Sequence, residues 1–259
     1  MSRHLPFVAG YLELHIEQGP RLESAGLTVA AVEGILGVER RRVVISGRSA
    51  HGGTAPFDLR RDPIQAAAQL ITEIPQLVRG MNPAGVATIG VLSTAGGAIN
   101  FTPAEVEFSL ELRQPSLAAL IATVSAVEGR LREICSAHGC SASIARQDLL
   151  SEVKDGVPLA VEPAFIPPAE FDRRMVEATA LSCSELGLRH RRMHAGTWHD
   201  AGIMSAHVPT GMLLVPSLGG LTHVPAENTL DADLVNGARA LLRSTQRAVQ
   251  ALGLVDAAS

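Results

Sequence analysis

Aromatic side chains are scarce in this chain of 259 residues: one Trp, one Tyr and six Phe make up 3% of it. A base-stacking surface for nucleic acid has little to build on, and the core must be filled by Val, Leu, Ile and Ala. Cysteine is equally sparse. Cys135, Cys140 and Cys183 are odd in number and none sits in a Cys-x-x-Cys pair, which argues against a disulfide framework and against a zinc or dithiol motif. A reducing, cytoplasmic compartment is the expectation that fits. No stretch approaches the roughly 18 apolar residues of a membrane span, and residues 1–10 lack the basic-then-apolar layout of a signal peptide. Neither a membrane nor a targeting step is expected. The net charge of −4 offers no basic surface for a polyanion and no acidic tail.

What is present is ordinary for a soluble globular protein: 46% hydrophobic and 19% charged residues, with 24 Gly and 15 Pro. The length exceeds the roughly 100 to 200 residues of one typical domain, so two are expected. Residues 11–15 alternate polar and apolar side chains up to Gly19-Pro20, as in a strand that delivers His15 to a sheet edge. From Val38 the patterns predict a strand (41–46), helix (62–80), strand (86–93), strand (105–113), helix (116–138) and strand (141–146). That order, β-α-β-β-α-β, is the ferredoxin-like arrangement. The stretch 147–168 bears Asp155-Gly156 and Pro167-Pro168 without periodicity and reads as a linker or loop. Beyond it come a helix (169–187), a loop dense in histidine, a strand (210–215), a Gly-rich loop and a helix (230–252). The fold class expected is α/β, with residues 1–37 and 147–259 forming one domain interrupted by the module at 38–146.

Nine histidines accompany so few aromatics, and several lie beside Gly, Pro and acids. Loops held by rigid elements are where sites are usually built. The candidates are His15, His51, His199 and His223. Taken singly, such a histidine is more often structural. Their surroundings in order are Glu13-Leu14-His15-Ile16-Glu17-Gln18-Gly19-Pro20, Gly47-Arg48-Ser49-Ala50-His51-Gly52-Gly53-Thr54, Ala98-Ile99-Asn100-Phe101-Thr102-Pro103, Leu110-Glu111-Leu112-Arg113, His199-Asp200-Ala201, and Val215-Pro216-Ser217 leading to His223-Val224-Pro225-Ala226-Glu227.

Together these motifs resemble the hydantoinase/carbamoylase-type amidohydrolases, which include N-carbamoyl-L-amino-acid hydrolases, allantoate amidohydrolases and β-ureidopropionases. The resemblance covers nearly the whole chain. It implies a metal-dependent hydrolase of linear C–N bonds, in which a hydroxide bridging two zinc or manganese ions attacks a carbamoyl or ureido carbon. By motif position His15 and His223 resemble metal ligands, one for each metal, while Asn100 and Arg113, on strands expected to be neighbours, resemble the clamp on a small-molecule substrate's carboxylate. A guanidinium fork suits that task, although an arginine at a strand end also serves as a surface charge or a structural ion pair. His51 resembles the histidine of a lid and dimerisation domain that stabilises the oxyanion, usually in the partner subunit of a homodimer. Gln18 matches a substrate contact, whereas Glu17 is expected to support the loop. His199 resembles a group that hydrogen-bonds substrate or intermediate, and Gly196 one that offers backbone to it. The family usually has Ser-Gly ahead of His199, where this chain has Ala195-Gly196-Thr197-Trp198.

The family's upstream His-x-Asp motif, bridging Asp and Glu-Glu pair have no counterpart in this sequence. His15 and His223 alone do not hold two metals with an open position. The chain therefore reads as a C-terminal, truncated portion of such an enzyme, possessing or lacking activity according to whether the remainder is supplied elsewhere. Two alternatives stand beside that reading: a non-catalytic dimerisation or substrate-binding remnant, and an aminoacylase or exopeptidase of the same superfamily.

Overall fold

The computed structural model describes residues 8–154 and 157–254. In chain order the first elements are β1 (Tyr11–Ile16), α1 (Arg21–Ser24) and β2 (Val29–Ile35). There follow β3 (Gly37–Ser46), α2 (Pro63–Met81), β4 (Val86–Thr88), β5 (Leu92–Ala95), β6 (Glu105–Gln114), α3 (Leu117–Ala137), β7 (Ser141–Arg146), β8 (Leu149–Lys154), β9 (Val157–Glu162) and β10 (Phe165–Ile166). The chain ends with β11 (Ala169–Glu170), α4 (Arg173–Glu185), β12 (His190–Ala195), α5 (Asp200–Met204), β13 (Thr210–Val215) and α6 (Asp231–Ala251). These elements divide into two compact units, one from Gly37 to Pro168 and the other from the segments on either side of it.

The Gly37–Pro168 unit is built on β3 and β6, which pair antiparallel over ten residues each. β7 and β10 pair with β3, and β4 and β5 pair with β6. Side chains of β6 alternate, so Val106, Phe108, Leu110 and Leu112 are buried with Leu70, Ile74 and Val78 of α2 and Leu120, Val127 and Leu131 of α3. Both helices start where sequence dictates. Asp62 accepts from the Ile64 amide ahead of Pro63, and Ser116 accepts from the Ala119 amide.

The strand expected over 86–93 is broken into β4 and β5, because the Ser109 hydroxyl takes the Gly90 and Val91 amides between them. The stretch 147–168 is not a loop. Its β8 and β9 pair antiparallel, and Phe165–Ile166 add to β3. It groups with the inserted unit rather than with the flanking segments. The turn expected at Asp155-Gly156 lies outside the described residues.

In the flanking unit β1 runs parallel to β13 in unbroken register from Tyr11↔Thr210 to Ile16↔Val215. β13 pairs antiparallel with β2, which also pairs with β11 and β12. Every residue of β13 is buried, whereas all six of β1 are only half-buried, because β1 has a described neighbour on one side alone. α4 and α6 pack on this sheet and on each other, and α5 packs against β1 and β13. Close packing of α6 needs glycine at Gly237, where a Cβ would stand 2.7 Å from Val215 Cγ1. Three strands were not foreseen: β2, whose residues are nearly all apolar and show no alternation; β11, which occupies the start of the helix expected over 169–187, so that α4 begins only at Arg173 behind the Asp172 cap; and β12, which occupies the stretch read as a histidine-rich loop. Among the described residues no helix is long and apolar enough to cross a membrane.

Candidate active site

Five of the sequence candidates, His15, Gln18, Gly196, His199 and His223, lie in the flanking unit. His15 lies near the C-terminal end of β1, and its Nδ1 is 2.9 Å from the Ile16 carbonyl oxygen. A carbonyl only accepts, so Nδ1 carries the proton and Nε2 keeps a lone pair. The His199 ring meets it edge-on, with centroids 4.5 Å apart. His199 is buried at the start of α5, and its Nε2 is shielded from solvent without a hydrogen-bond partner among the described residues. Burial, with His15 beside it, pushes the His199 pKa down to about 4, so the ring is neutral at neutral pH. Glu13 fixes the approach of α5, accepting from the Ala201 amide at 2.7 Å, and its other oxygen is 3.8 Å from His199 Nδ1.

After β1 the chain turns sharply. The buried Glu17 carboxylate accepts from the amides of Arg21 and Leu22 at 3.0 and 2.7 Å, which satisfies the start of α1. Gln18 follows with φ of 57°. Its amide donates to the buried Ser217 hydroxyl at 2.9 Å. His223 has φ of 56° and donates its own amide to Glu227 Oε2 at 2.7 Å. These are the two non-glycine residues in the left-handed region among the described residues, and they touch each other. Such a conformation costs about 1–3 kcal/mol per residue, and its persistence at paired loop positions is typical of functional sites.

The Gln18 side chain joins three loops. Its Oε1 accepts from Thr197 Oγ1 at 3.0 Å, and its Nε2 is 3.0 Å from Thr222 Oγ1 and 3.3 Å from His223 Nε2. The His223 amide, with Thr222 as a smaller cause, holds the Glu227 carboxyl below the usual range. At Gly196 a Cβ would meet nothing within 4 Å, leaving open space at that turn.

The other candidates belong to the inserted unit. His51 is exposed and lies edge-on to Phe101 at 5.0 Å. Its Nδ1 accepts from the Gly53 amide at 3.1 Å, so the neutral ring carries its proton on Nε2, ready to donate. Asn100 is in the turn before Phe101, where its carbonyl accepts from Gly52 at 2.7 Å, and is not on a strand beside Arg113 as expected. Arg113 pairs across to Val38 and Val86. Its Nε and Nη2 engage Glu111 Oε1 at 2.8 and 2.7 Å, and Arg40 takes the other oxygen of Glu111 at 2.7 Å. Burial raises the Glu111 pKa, but Arg113 and Arg40 outweigh it and the carboxyl sits below its usual range.

Sequence reasoning missed the supporting roles of Glu13, Thr197, Ser217, Thr222 and Glu227. Most lie inside or beside the quoted motifs, but only three-dimensional contacts show what each one holds. His15, whose Nε2 has no partner among the described residues, and His223, whose Nε2 faces only the Gln18 NH2, suit a borderline divalent metal in part. Among the described residues no group of three or more His, Cys, Asp or Glu is placed to hold one, so these residues do not by themselves fit a complete metal site.

The chain is similar to known proteins along nearly all of its length. The model of peptidase family M20/M25/M40 matches residues 4–247. An N-carbamoyl-L-amino-acid amidohydrolase from Paenarthrobacter aurescens is 36% identical over 245 residues, covering 93% of this chain and 55% of the relative. An allantoate amidohydrolase from Escherichia coli (strain K12) is 30% identical over 234 residues, covering 90% and 53%. Among solved structures, an amidase of the hydantoinase/carbamoylase family from Burkholderia multivorans superposes with a TM-score of 0.81 at 26% identity, covering 93% of this chain and 55% of that one. The chain thus spans about half the length of the relatives it matches.

Proposed function

Because the chain belongs to peptidase family M20/M25/M40, we propose that it forms part of a metal-dependent amidohydrolase acting on N-carbamoyl-L-amino acids or allantoate-like ureido acids. The observation that carries the reading is the convergence of His15, Gln18, His199 and His223 from three separate segments on one face-to-loop cluster of the flanking unit. Relatives named for exactly these two substrate types support it.

In this reading His15 and His223 each give one imidazole to a divalent metal, zinc or manganese, whose other ligands come from beyond the described residues. His199, neutral and buried, hydrogen-bonds the substrate or the intermediate through the Nε2 that no described residue uses. Gln18 orients the ureido group, and Gly196 offers backbone beside it. The inserted unit acts as a lid and dimerisation domain. From it His51 donates its Nε2 proton to developing negative charge, in a homodimer, and Asn100 and Arg113 recognise the substrate carboxylate. Since Glu111 already holds the Arg113 fork, the carboxylate must share or displace that partner.

The test supplies this chain with the portion of the Paenarthrobacter aurescens relative outside the matched stretch. Metal content and ammonia release from allantoate, or free amino acid from an N-carbamoyl-L-amino acid, are then measured. Hydrolysis that requires metal and disappears in His15→Ala and His223→Ala is expected. An active, metal-loaded assembly indifferent to both substitutions refutes the ligand assignment, and an assembly without metal or turnover refutes the function.

A further inference from the structure

We infer that Thr197 is a positioning residue for His223, acting through the Gln18 side chain to select which ring nitrogen of His223 carries the proton. The inference deepens the proposed function, on which the importance of His223 rests, but its geometry stands alone.

Hydrogen-bond polarity runs one way through this cluster. The Gln18 NH2 donates to Thr222 Oγ1 at 3.0 Å, and a hydroxyl oxygen accepts it. The second hydrogen of that NH2 faces His223 Nε2 at 3.3 Å, so Nε2 is the acceptor and Nδ1 bears the proton. With its NH2 so placed, Gln18 turns its carbonyl to Thr197, whose hydroxyl donates to it at 3.0 Å. Thr197 is the outermost donor of the chain and the group that keeps the Gln18 amide from rotating. His223 is thereby held as the form with a lone pair on Nε2, the form able to bind a metal or accept from a substrate N–H.

A second observation points to the same pair. Gln18 and His223 are the two non-glycine residues with left-handed backbone among the described residues, each pinned by a bond to its amide, from Gln18 to Ser217 and from His223 to Glu227. Backbone strain is thus invested on both sides of the Gln18–His223 contact and nowhere else in the described non-glycine chain. Thr197 lies at the turn between β12 and His199, so one short segment supplies both the buried imidazole and the donor that orders Gln18.

The experiment uses the full 259-residue chain, metal-free, labelled with ¹⁵N-histidine and ¹⁵N-glutamine at pH 8, where two-bond ¹⁵N–¹H correlations separate the two neutral tautomers. Wild type is expected to show His223 as the Nδ1–H form alone. Thr197→Val, which keeps shape and removes the hydroxyl, should lose that single-tautomer signature and average the Gln18 side-chain amide signals. Thr197→Ser should restore both. Gln18→Met should reproduce the Val effect, and the double variant should add nothing further. The inference is overturned if wild-type His223 is the Nε2–H form, if Thr197→Val leaves it unchanged, or if Thr197→Ser fails to rescue. Because neither metal nor turnover is read, failure here is distinct from failure of the proposed activity.

Discussion

Replacing Glu17 tests whether the turn after β1 is held as its geometry says. The carboxylate takes two backbone amides, Arg21 and Leu22, and is buried with Leu22 fully buried behind it. Hydrogen bonds to a charged group contribute about 1.5–3 kcal/mol each, and an orphaned buried donor costs about 1–3 kcal/mol. In Glu17→Ala the Arg21 amide regains water, while the Leu22 amide does not. A loss of about 2–4 kcal/mol is therefore expected, centred on one bond and part of the other. Glu17→Gln keeps an acceptor oxygen and should lose about half as much. Since the chain folds as two compact units, a global midpoint averages over both, and native-state hydrogen exchange at the Leu22 amide is the sharper readout. Its protection should fall by about 30- to 1000-fold in Glu17→Ala, each tenfold being about 1.4 kcal/mol. If Leu22 exchanges as in wild type, Glu17 does not hold the turn, and the ordering of Gln18 must come from Ser217 alone.

Glycine supplies a matched pair of tests. At Gly34 a Cβ would stand 2.3 Å from the Ala169 carbonyl oxygen, so Gly34→Ala should separate β11 from β2 and lower the melting temperature sharply; at Gly80, in α2, nothing lies within 4 Å, and Gly80→Ala should raise stability by about 0.5–1 kcal/mol. Equal effects would contradict the packing described. Acid should also weaken the fold through His199. Its folded pKa of about 4 lies below the ordinary 6.5, so the unfolded chain binds the extra proton and stability falls as pH drops from about 6.5 to 4. His199→Asn should flatten the denaturant-midpoint profile in that window, and an unaltered slope would show that burial does not keep the ring neutral.

Much of the fold was legible because its signals are local. Alternation in β6, the Asp62-Pro63 start of α2 and the Ser116 cap of α3 each specify an element without reference to distant residues. β2 was invisible for the opposite reason: a strand buried on both faces needs no alternation, so Val29–Ile35 offers no period to read. β12 was masked by its two histidines and two arginines, each half-buried or exposed, on a strand that owes its place to β2. At the site, sequence picked out the imidazoles, but roles depended on partners. Thr197 is 179 residues from Gln18, and the bond between them leaves no trace in spacing. Arg113 shows the limit most clearly, since the same side chain is a carboxylate clamp or an ion-pair member according to whether Glu111 faces it.

The position of His15 on β1 has a thermodynamic consequence. β1 is an edge whose outward amides and carbonyls, on alternate residues, have no described strand beside them, and Tyr11–Ile16 contains no Lys, Arg or Pro to discourage pairing. A polypeptide that extends the sheet there must lie alongside His15. Covering the edge and surrounding the imidazole are then one event, and by linkage any ligand that prefers the surrounded His15 tightens the hold on the added strand by the same factor that the strand tightens the hold on the ligand. Assembly and ligation at this strand are reciprocal, so occupancy of either can be read out by measuring the other.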